Sequence, residues 1–358
     1  MKHYFVENPV SGKNNPVDIV NELIIPAAEK NGIDYEIYQT KERGDGERFV
    51  REKCKEANGA PVRFYSVGGD GTLYEVVNGA FGFDNAEITC VPKGSGNDYI
   101  RLYGGREAFL NIENLINGSP VTVDGLTIDD GSGWTEVAIN QASMGFDAEA
   151  CAYQGAMKKF PGAIGHATYA LAGLYCMFTK VYNTFSCKVD GKPIPGPFLF
   201  AVGCNSKWYG SGIKVARFAD PTDGMLDCVL FRRTIWWPTV FKIGLYDWQI
   251  AGTHYKRPYC EYIRGKKMEF QAEKPVEINV DGECRKVTRM TLEVAPGAFR
   301  FVVPKGSEFF EKQANHDLDT DIDLGFWHKE PYKTIANTLK PFDWIVNKGI
   351  MGYGRKRH

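Results

Sequence analysis

The sequence predicts a parallel α/β domain over residues 1–125, followed by a mainly antiparallel β-sandwich domain over 126–304. In the first part, short apolar runs alternate with amphipathic stretches, the pattern of βαβ units feeding one parallel sheet. In the second, β-like runs succeed one another with little but turns between them. A third observation places a site. The glycine turns of the first part follow predicted strands, at the carboxyl ends where open α/β sheets hold ligands. Residues 305–358 fit neither pattern and form an extension that runs from charged to aromatic to basic, ending GRKRH.

The elements follow in order. HYFV (3–6) reads as a strand that ends in the turn ENPVSGK. A helix is expected within 16–31, where Val17, Val20, Ile24 and Ala27 make one apolar stripe and Pro26 threatens a kink. DYEIYQT (34–40) is a strand, and GERFVREKCKEA (46–57) a helix that buries Phe49 and Cys54. VRFYSV (62–67) and EITCVP (87–92) are strands, each leading to a helix, TLYEVVNGA (72–80) and NDYIRLYG (97–104). Beyond residue 122 the β runs are VTVDGLTID, EVAINQASM, FSCKVDG, FLFAVGCN, LDCVLF, KMEFQA, VEINVDGE and MTLEVA. Helical stretches are expected to interrupt them near 148–182 and 238–250.

Composition narrows the class. Basic and acidic residues nearly cancel, 43 against 44, which argues against general nucleic-acid binding. The nine cysteines include no CxxC pair, and the closest two, Cys176 and Cys187, are eleven apart. Neither a zinc site nor a disulfide framework is expected from that spacing. MKHYFVENPVSGK passes from a short apolar stretch straight into a polar turn, unlike a signal peptide. No stretch nears the ~18 apolar residues of a membrane span. A reducing, cytoplasmic setting is the expectation.

The chemistry centres on YSVGGDGTLYEVVNGAFG (65–82). Gly68, Gly69 and Gly71 follow a strand and precede a helix, so backbone N–H groups converge where the helix N-terminus adds positive potential. That suits a phosphate, although tight turns use glycine for geometry alone. Asp70 sharpens the reading. A carboxylate amid phosphate-binding amides repels the ligand unless a cation lies between them, and magnesium fills that role. The glycines do not fit GxGxxG, there is no GxxxxGK[ST], and the HRD and DFG motifs of protein kinases are missing.

GGDGTLYEVVNG resembles the nucleotide-binding signature of the diacylglycerol kinase catalytic-domain family, which includes bacterial lipid kinases, sphingosine kinases and ceramide kinases. NPVSG (8–12) is similar to the family's NPxSG turn, and PKGSGNDYIR (92–101) to its PxGTxNDxAR stretch. WYGSGIKVARFADPTDGMLDCVLF (208–231) is similar to its yGGG…DDGxLDvxl region, and INVDGE (278–283) to its DGE motif. Five pieces in the right order, over residues 3 to about 303, make chance a poor explanation. The resemblance implies an NAD kinase/phosphofructokinase-like domain that binds ATP and Mg2+, joined to a β-sandwich that binds a lipid.

The resemblance also implies roles. Asn8, Pro9, Val10, Ser11 and Gly12 form a phosphate-side loop, with Lys13 beside it as a point charge. Thr40 matches a nucleotide contact, and Gly69 to Glu75 make the main loop, with Thr72 expected to cap its helix. Ser95 stands in for the family's threonine, beside Asn97. Asp98 joins Asp70 and Asp124 in a water-mediated magnesium network, although Asp98 alone reads as a helix cap. A second, structural magnesium is implied at ADPTDGM, held by Asp220, Asp223 and the carbonyl of Met225; the plain alternative is an Asx-rich turn. One of Asp281 and Glu283 takes the acceptor's proton, while Asp-Gly is also a strong hairpin signal.

Departures include Gly210-Ser211-Gly212 for a triple glycine, Arg217 for a common proline, and Lys93 at a usually small or apolar position. The last two add charge near the expected cleft and leave the acceptor open. RRTIWWPTVFKIGLYDWQIAG (232–252) suggests docking on an anionic membrane, with Trp236 and Trp237 at headgroup depth and Arg232 and Arg233 on lipid phosphates. An aromatic core helix reads equally well. The expectation is an ATP-dependent lipid kinase, acting peripherally at the membrane and converting diacylglycerol to phosphatidic acid. The alternatives are a sphingoid-base or other lipid-alcohol kinase, an NAD kinase, and a non-catalytic, nucleotide-gated membrane-binding module. The sequence leaves room for a homodimer.

Overall fold

A computed structural model describes residues 1–12, 17–94, 96–157, 185–210, 212–232, 254–256 and 260–315. β1 (Lys2–Glu7), β2 (Asp34–Gln39), β3 (Val62–Gly68) and β4 (Ala86–Pro92) pair in parallel in the order β2-β1-β3-β4. β3 and β4 are buried at every residue, as expected of central parallel strands covered on both faces. β2 lies at the edge and is correspondingly more polar and more open. Around the sheet run α1 (Ile25–Asn31), α2 (Asp45–Glu56) and α3 (Asp70–Ala80). A π-helical turn, Ile19–Ile24, leads into α1. Pro26 falls in the first turn of α1, where its missing N–H would be unpaired anyway, so the proline begins a new helix and does not bend an old one. After β4 come a 3-10 turn (Tyr99–Tyr103), α4 (Gly105–Leu110) and α5 (Ile112–Ile116).

β5 (Ser119–Asp129) carries the chain across residue 125 as one strand. EVAINQASM divides into β6 (Thr135–Ala138) and β7 (Gln141–Gly145), and α6 (Phe146–Met157) follows. Next are β8 (Phe185–Val189), β9 (Lys192–Ile194), β10 (Phe198–Cys204), β11 (Trp208–Tyr209), β12 (Ile213–Lys214) and β13 (Leu226–Arg232). β14 (Cys260–Gly265), β15 (Lys267–Val280), β16 (Glu283–Val303) and α7 (Phe309–Ala314) complete the described chain. The expected helical stretch at 238–250, most of that at 148–182, and the aromatic segment after Arg232 lie outside the described residues.

Fourteen of these strands form one sheet, in the order β14-β13-β10-β7-β15-β16-β4-β3-β1-β2, with β5 and β6, and β8 and β9, attached off this path. β16 makes the join. Its first part pairs antiparallel with β15, its end runs parallel to β4 at Arg300–Phe301, and β5 accompanies it, with a register shift between Ala295 and Phe299. Phe301 stacks on Tyr103 at 5.2 Å and meets Tyr99 edge-on at 4.9 Å, so the last strand of the second part completes the core of the first. Polar pinning follows the same seam. Glu87 is buried between Arg63 and Arg300, at 2.7 and 2.8 Å, and ties β3, β4 and β16 together. A second core, with Leu126, Met144, Phe270 and Ile278, fills the β-rich part and accepts Tyr74 from α3.

Candidate active site

Three loops meet at the carboxyl ends of β1, β3 and β4. Asn8 donates its N–H to Val67 O at 3.0 Å, while its side-chain Oδ1 accepts from Val10 N at 3.1 Å and curls the NPVSG turn. Gly12 has φ +66°, and a Cβ there would stand 2.4 Å from Lys93 O. Lys93 and Gly94 donate their N–H groups to Gly68 O at 2.8 and 3.1 Å. A Cβ on Gly94 would stand 2.6 Å from the Cα of Gly69. Glycine therefore lets these backbones touch. Val10, Ser11, Gly12, Gly69, Asp70 and Gly71 line one side of a cleft of about 490 Å³; Asp281, Gly282 and Glu283 line the other.

α3 begins at Asp70, two residues before the sequence suggested, and Thr72 does not cap it. Gly69 occupies the cap without a side-chain bond, and Thr72 is buried in the first turn, against Gly68. A glycine cap sets no side chain over the first turn of α3, where Thr72 and Leu73 donate their N–H groups to Gly69 O at 3.1 and 3.2 Å. Asp70 Oδ2 and Oδ1 accept from the amides of Asn97 and Asp98 at 2.9 and 3.1 Å. Burial, followed by the neighbouring Asp98 charge, pushes the Asp70 carboxyl up to about 6. Asn97 takes the left-handed φ of +50° that asparagine tolerates, and its amide donates to Gly68 O at 3.1 Å. Asp98 precedes the 3-10 turn without capping it by its side chain; its carboxylate meets Arg101 Nε at 2.9 Å. Lys13 and Ser95 lie outside the described residues.

On the facing wall, Asp281 and Gly282 form the two-residue turn of the β15–β16 hairpin, with φ of +47° and +99°. Asp-Gly supports such a turn, so the hairpin signal and the site coincide. Asp281 is 7% exposed. Its carboxylate accepts from the amides of Ile139 at 2.8 Å, Asn140 at 3.2 Å and Gln141 at 2.7 Å. Burial outweighs these donors and pushes its carboxyl up to about 7. Asn279 Oδ1 holds the turn by accepting from Gly282 N at 2.8 Å. Glu283 is more open, pairs with Arg43 from the β2–α2 loop, and reaches the first turn of α3 beside Gly71.

Other expected site residues make bonds of their own within the fold. Glu75 accepts from Gly44 N and Gly46 N, at 2.8 and 2.9 Å, and so fixes the start of α2. Thr40 donates both its N–H and its hydroxyl to Glu7 O. Lys93 forms a largely buried pair with Glu7 at 2.8 Å, so its charge is neutralised and does not face the cleft. Asp124 is buried. Its oxygens accept from Gly224 N at 2.7 Å and Gly297 N at 2.8 Å, tying the Asp220–Met225 turn to β16. Within that turn, Asp220 accepts from Thr222, and Asp223 accepts from Met225 N at 2.9 Å and pairs with Arg264. These bonds are of the Asx type, with Arg264 as a neighbouring counter-charge. Among the described residues no group of three His, Cys, Asp or Glu side chains is placed to hold a metal by itself. Arg232 donates to Pro195 O and pairs with Glu261, each at 2.8 Å.

Several lining residues carried no signal in the sequence. The Asn140 and Gln141 amides hold Asp281 by backbone alone, and Cys151 arrives from α6. Asn279, near the end of β15, holds the turn through its side chain.

A glycine-loop α/β part joined through β5 and β16 to a β-sandwich defines a class of two-part enzymes, and the comparisons identify it. Residues 2–128 match the diacylglycerol kinase catalytic domain, and residues 140–303 the YegS C-terminal NAD kinase beta sandwich-like domain. The chain belongs to the diacylglycerol kinase catalytic-domain family of lipid kinases. It is 26% identical over 317 residues to YtlR of Bacillus subtilis (strain 168), provisionally described as a lipid kinase, covering 84% of this chain and 99% of that one. It is 23% identical over 285 residues to the diacylglycerol kinase of the same strain, covering 78% and 88%. A crystal structure of a diacylglycerol kinase from Bacillus anthracis str. Sterne shares the fold, with a TM-score of 0.61, 17% identity and coverage of 85% and 97%. No helix among the described residues is long and apolar enough to cross a membrane.

Proposed function

We propose that this protein transfers the γ-phosphoryl group of ATP to a lipid hydroxyl, with diacylglycerol as acceptor and phosphatidic acid as product. One observation carries the reading: a buried carboxyl poised at about 7, Asp281, stands in one cleft with the glycine loops of the nucleotide signature. A general base works best with a pKa near the working pH. Three amides fix the Asp281 carboxylate, and three bonds leave a lone pair to accept the proton of the attacking hydroxyl. The positive N-terminal end of α3 and the Asn8–Gly12 loop would receive the nucleotide phosphates. Asp70 and Asp98 fit a divalent cation, because burial and then the adjacent Asp98 charge disfavour the ionised Asp70 carboxyl until a cation offsets them. Bound there, magnesium would screen the phosphate oxygens, with phosphates and waters supplying the ligands the protein does not.

The choice of diacylglycerol rests on the names of the relatives. It is tested by incubating the purified full chain with labelled ATP, magnesium and mixed micelles of diacylglycerol, sphingosine or ceramide, with NAD as a soluble control. Label in phosphatidic acid is expected. Label confined to a sphingoid base would move the acceptor within the family, and label in NAD alone would overturn the lipid reading.

A further inference from the structure

Eight cysteines lie in the described chain, and six of them are buried. Burial pushes the thiols of Cys54, Cys90 and Cys187 up to about 12, which leaves them inert. Only Cys151 and Cys284 are partly exposed, and they lie together. Both sulfurs reach one acceptor, the carbonyl of Gly282, Cys151 Sγ at 3.7 Å and Cys284 Sγ at 4.0 Å. Cys284 Sγ also lies 3.8 Å from Ala148 O, on the α6 turn before Cys151. The proximity of Cys151, followed by burial, raises the Cys284 thiol. The pair brackets the turn that carries Asp281 and Glu283, with Cys284 directly after Glu283 and Cys151 on the cleft wall. Their spacing of 133 residues hides this juxtaposition from the sequence, where neither belongs to a CxxC pair.

We propose that Cys151 and Cys284 are a peroxide-responsive dithiol that closes to a disulfide and turns the enzyme off. Cys151, which opens to the cleft, attacks a hydroperoxide ROOH as its thiolate. Its sulfur takes one peroxide oxygen, the O–O bond breaks, and ROH leaves, giving a sulfenic acid. Cys284 then attacks the sulfenyl sulfur; the S–S bond forms, the S–O bond breaks, and water leaves. Two thiols are oxidised by two electrons, and the peroxide is reduced. A disulfide holds its two Cβ atoms about 4 Å apart in a fixed dihedral, so closure draws α6 and the first residues of β16 into a new alignment. Glu283 is bonded to Cys284, and Asp281 accepts from the amide of Gln141, the first residue of β7, against which α6 packs. The inhibition, though not the cross-link, rests on the kinase reading above.

The test uses the full chain, reduced and desalted, then treated with hydrogen peroxide. Expected are an intact mass lower by two hydrogens, a peptide joining Cys151 to Cys284, and a loss of lipid phosphorylation. That loss should be about 10²-fold, as for a catalytic group misplaced by an ångström, and dithiothreitol should restore it. Cys284→Ser, whose side chain lies outside the cleft, should keep the turnover of the reduced enzyme and lose the reversible inhibition. Cys284→Ala serves if the serine variant fails to fold. Absence of the joined peptide overturns the proposal whatever the activity. A cross-linked enzyme with unchanged turnover overturns the switch. If the reduced protein phosphorylates no lipid, the kinase reading and the switch fail together, and the mass alone decides the cross-link.

Discussion

Asp281 and Glu283 are two residues apart but differ in surroundings. Asp281 is buried, bonded to three amides and poised at about 7, whereas Glu283 is partly open and already paired with Arg43. The base assignment therefore goes to Asp281. A base acts deprotonated, so kcat should fall as pH drops below about 7 and level off above it. Asp281→Asn should lower kcat by about 10²–10⁴-fold, remove that inflection and leave ATP binding in place. Glu283→Gln should keep the inflection. A pH–rate profile of the three proteins checks this; an inflection near 7 that survives in Asp281→Asn would give the role to another group.

Among the elements, the contact between the β3–α3 and β4 loops is a close backbone-to-backbone constraint on the nucleotide side. Gly94→Ala would set a methyl 2.6 Å from the Cα of Gly69, and backbone rather than a flexible side chain must give way. Overpacking of this kind costs about 1–3 kcal/mol. Because the strain falls on the cradle, nucleotide affinity should drop by about tenfold or more, at 1.4 kcal/mol per decade. Titration with a fluorescent ATP analogue would show it, and an unchanged Kd would mean the loop does not touch the phosphates. This cradle was legible in the sequence because strand, glycine and helix are local signals; all four parallel strands stand where the apolar runs put them. What escaped was set by distant partners. β16 looks like one strand, yet it pairs with β15, β5 and β4 in turn. Asp124 gives no local sign in the sequence of the bonds it accepts from Gly224 and Gly297, and Thr72 resembles a cap only if α3 starts two residues late.

At the scale of the whole molecule, buried carboxyls set how stability responds to pH. Burial is the largest cause in each case, pushing Asp70, Asp147 and Asp227 up to about 6 and Asp281 and Glu136 up to about 7. Each of these groups ionises near 4 in the unfolded chain and only near 6–7 when folded, so in that interval the native state holds more protons. Their contribution is complete below about 4 and is lost as pH rises through 6 to 7. His3 works the other way, since burial lowers it to about 4 and protonating the unfolded chain below 6.5 opposes folding. Five groups outweigh one, and a net charge of −1 leaves little global repulsion to mask them. The melting temperature should therefore rise as pH is lowered from about 8 to about 5. Mg–ATP should flatten the trend, because a cation at Asp70 favours its ionised form. Calorimetric scans across that range, with and without Mg–ATP, decide the matter. A melting temperature that climbs steadily from pH 5 to 8 would mean that these carboxyls are ionised and paired in the native protein, and the role of Asp281 as a base poised near neutrality would fall with them.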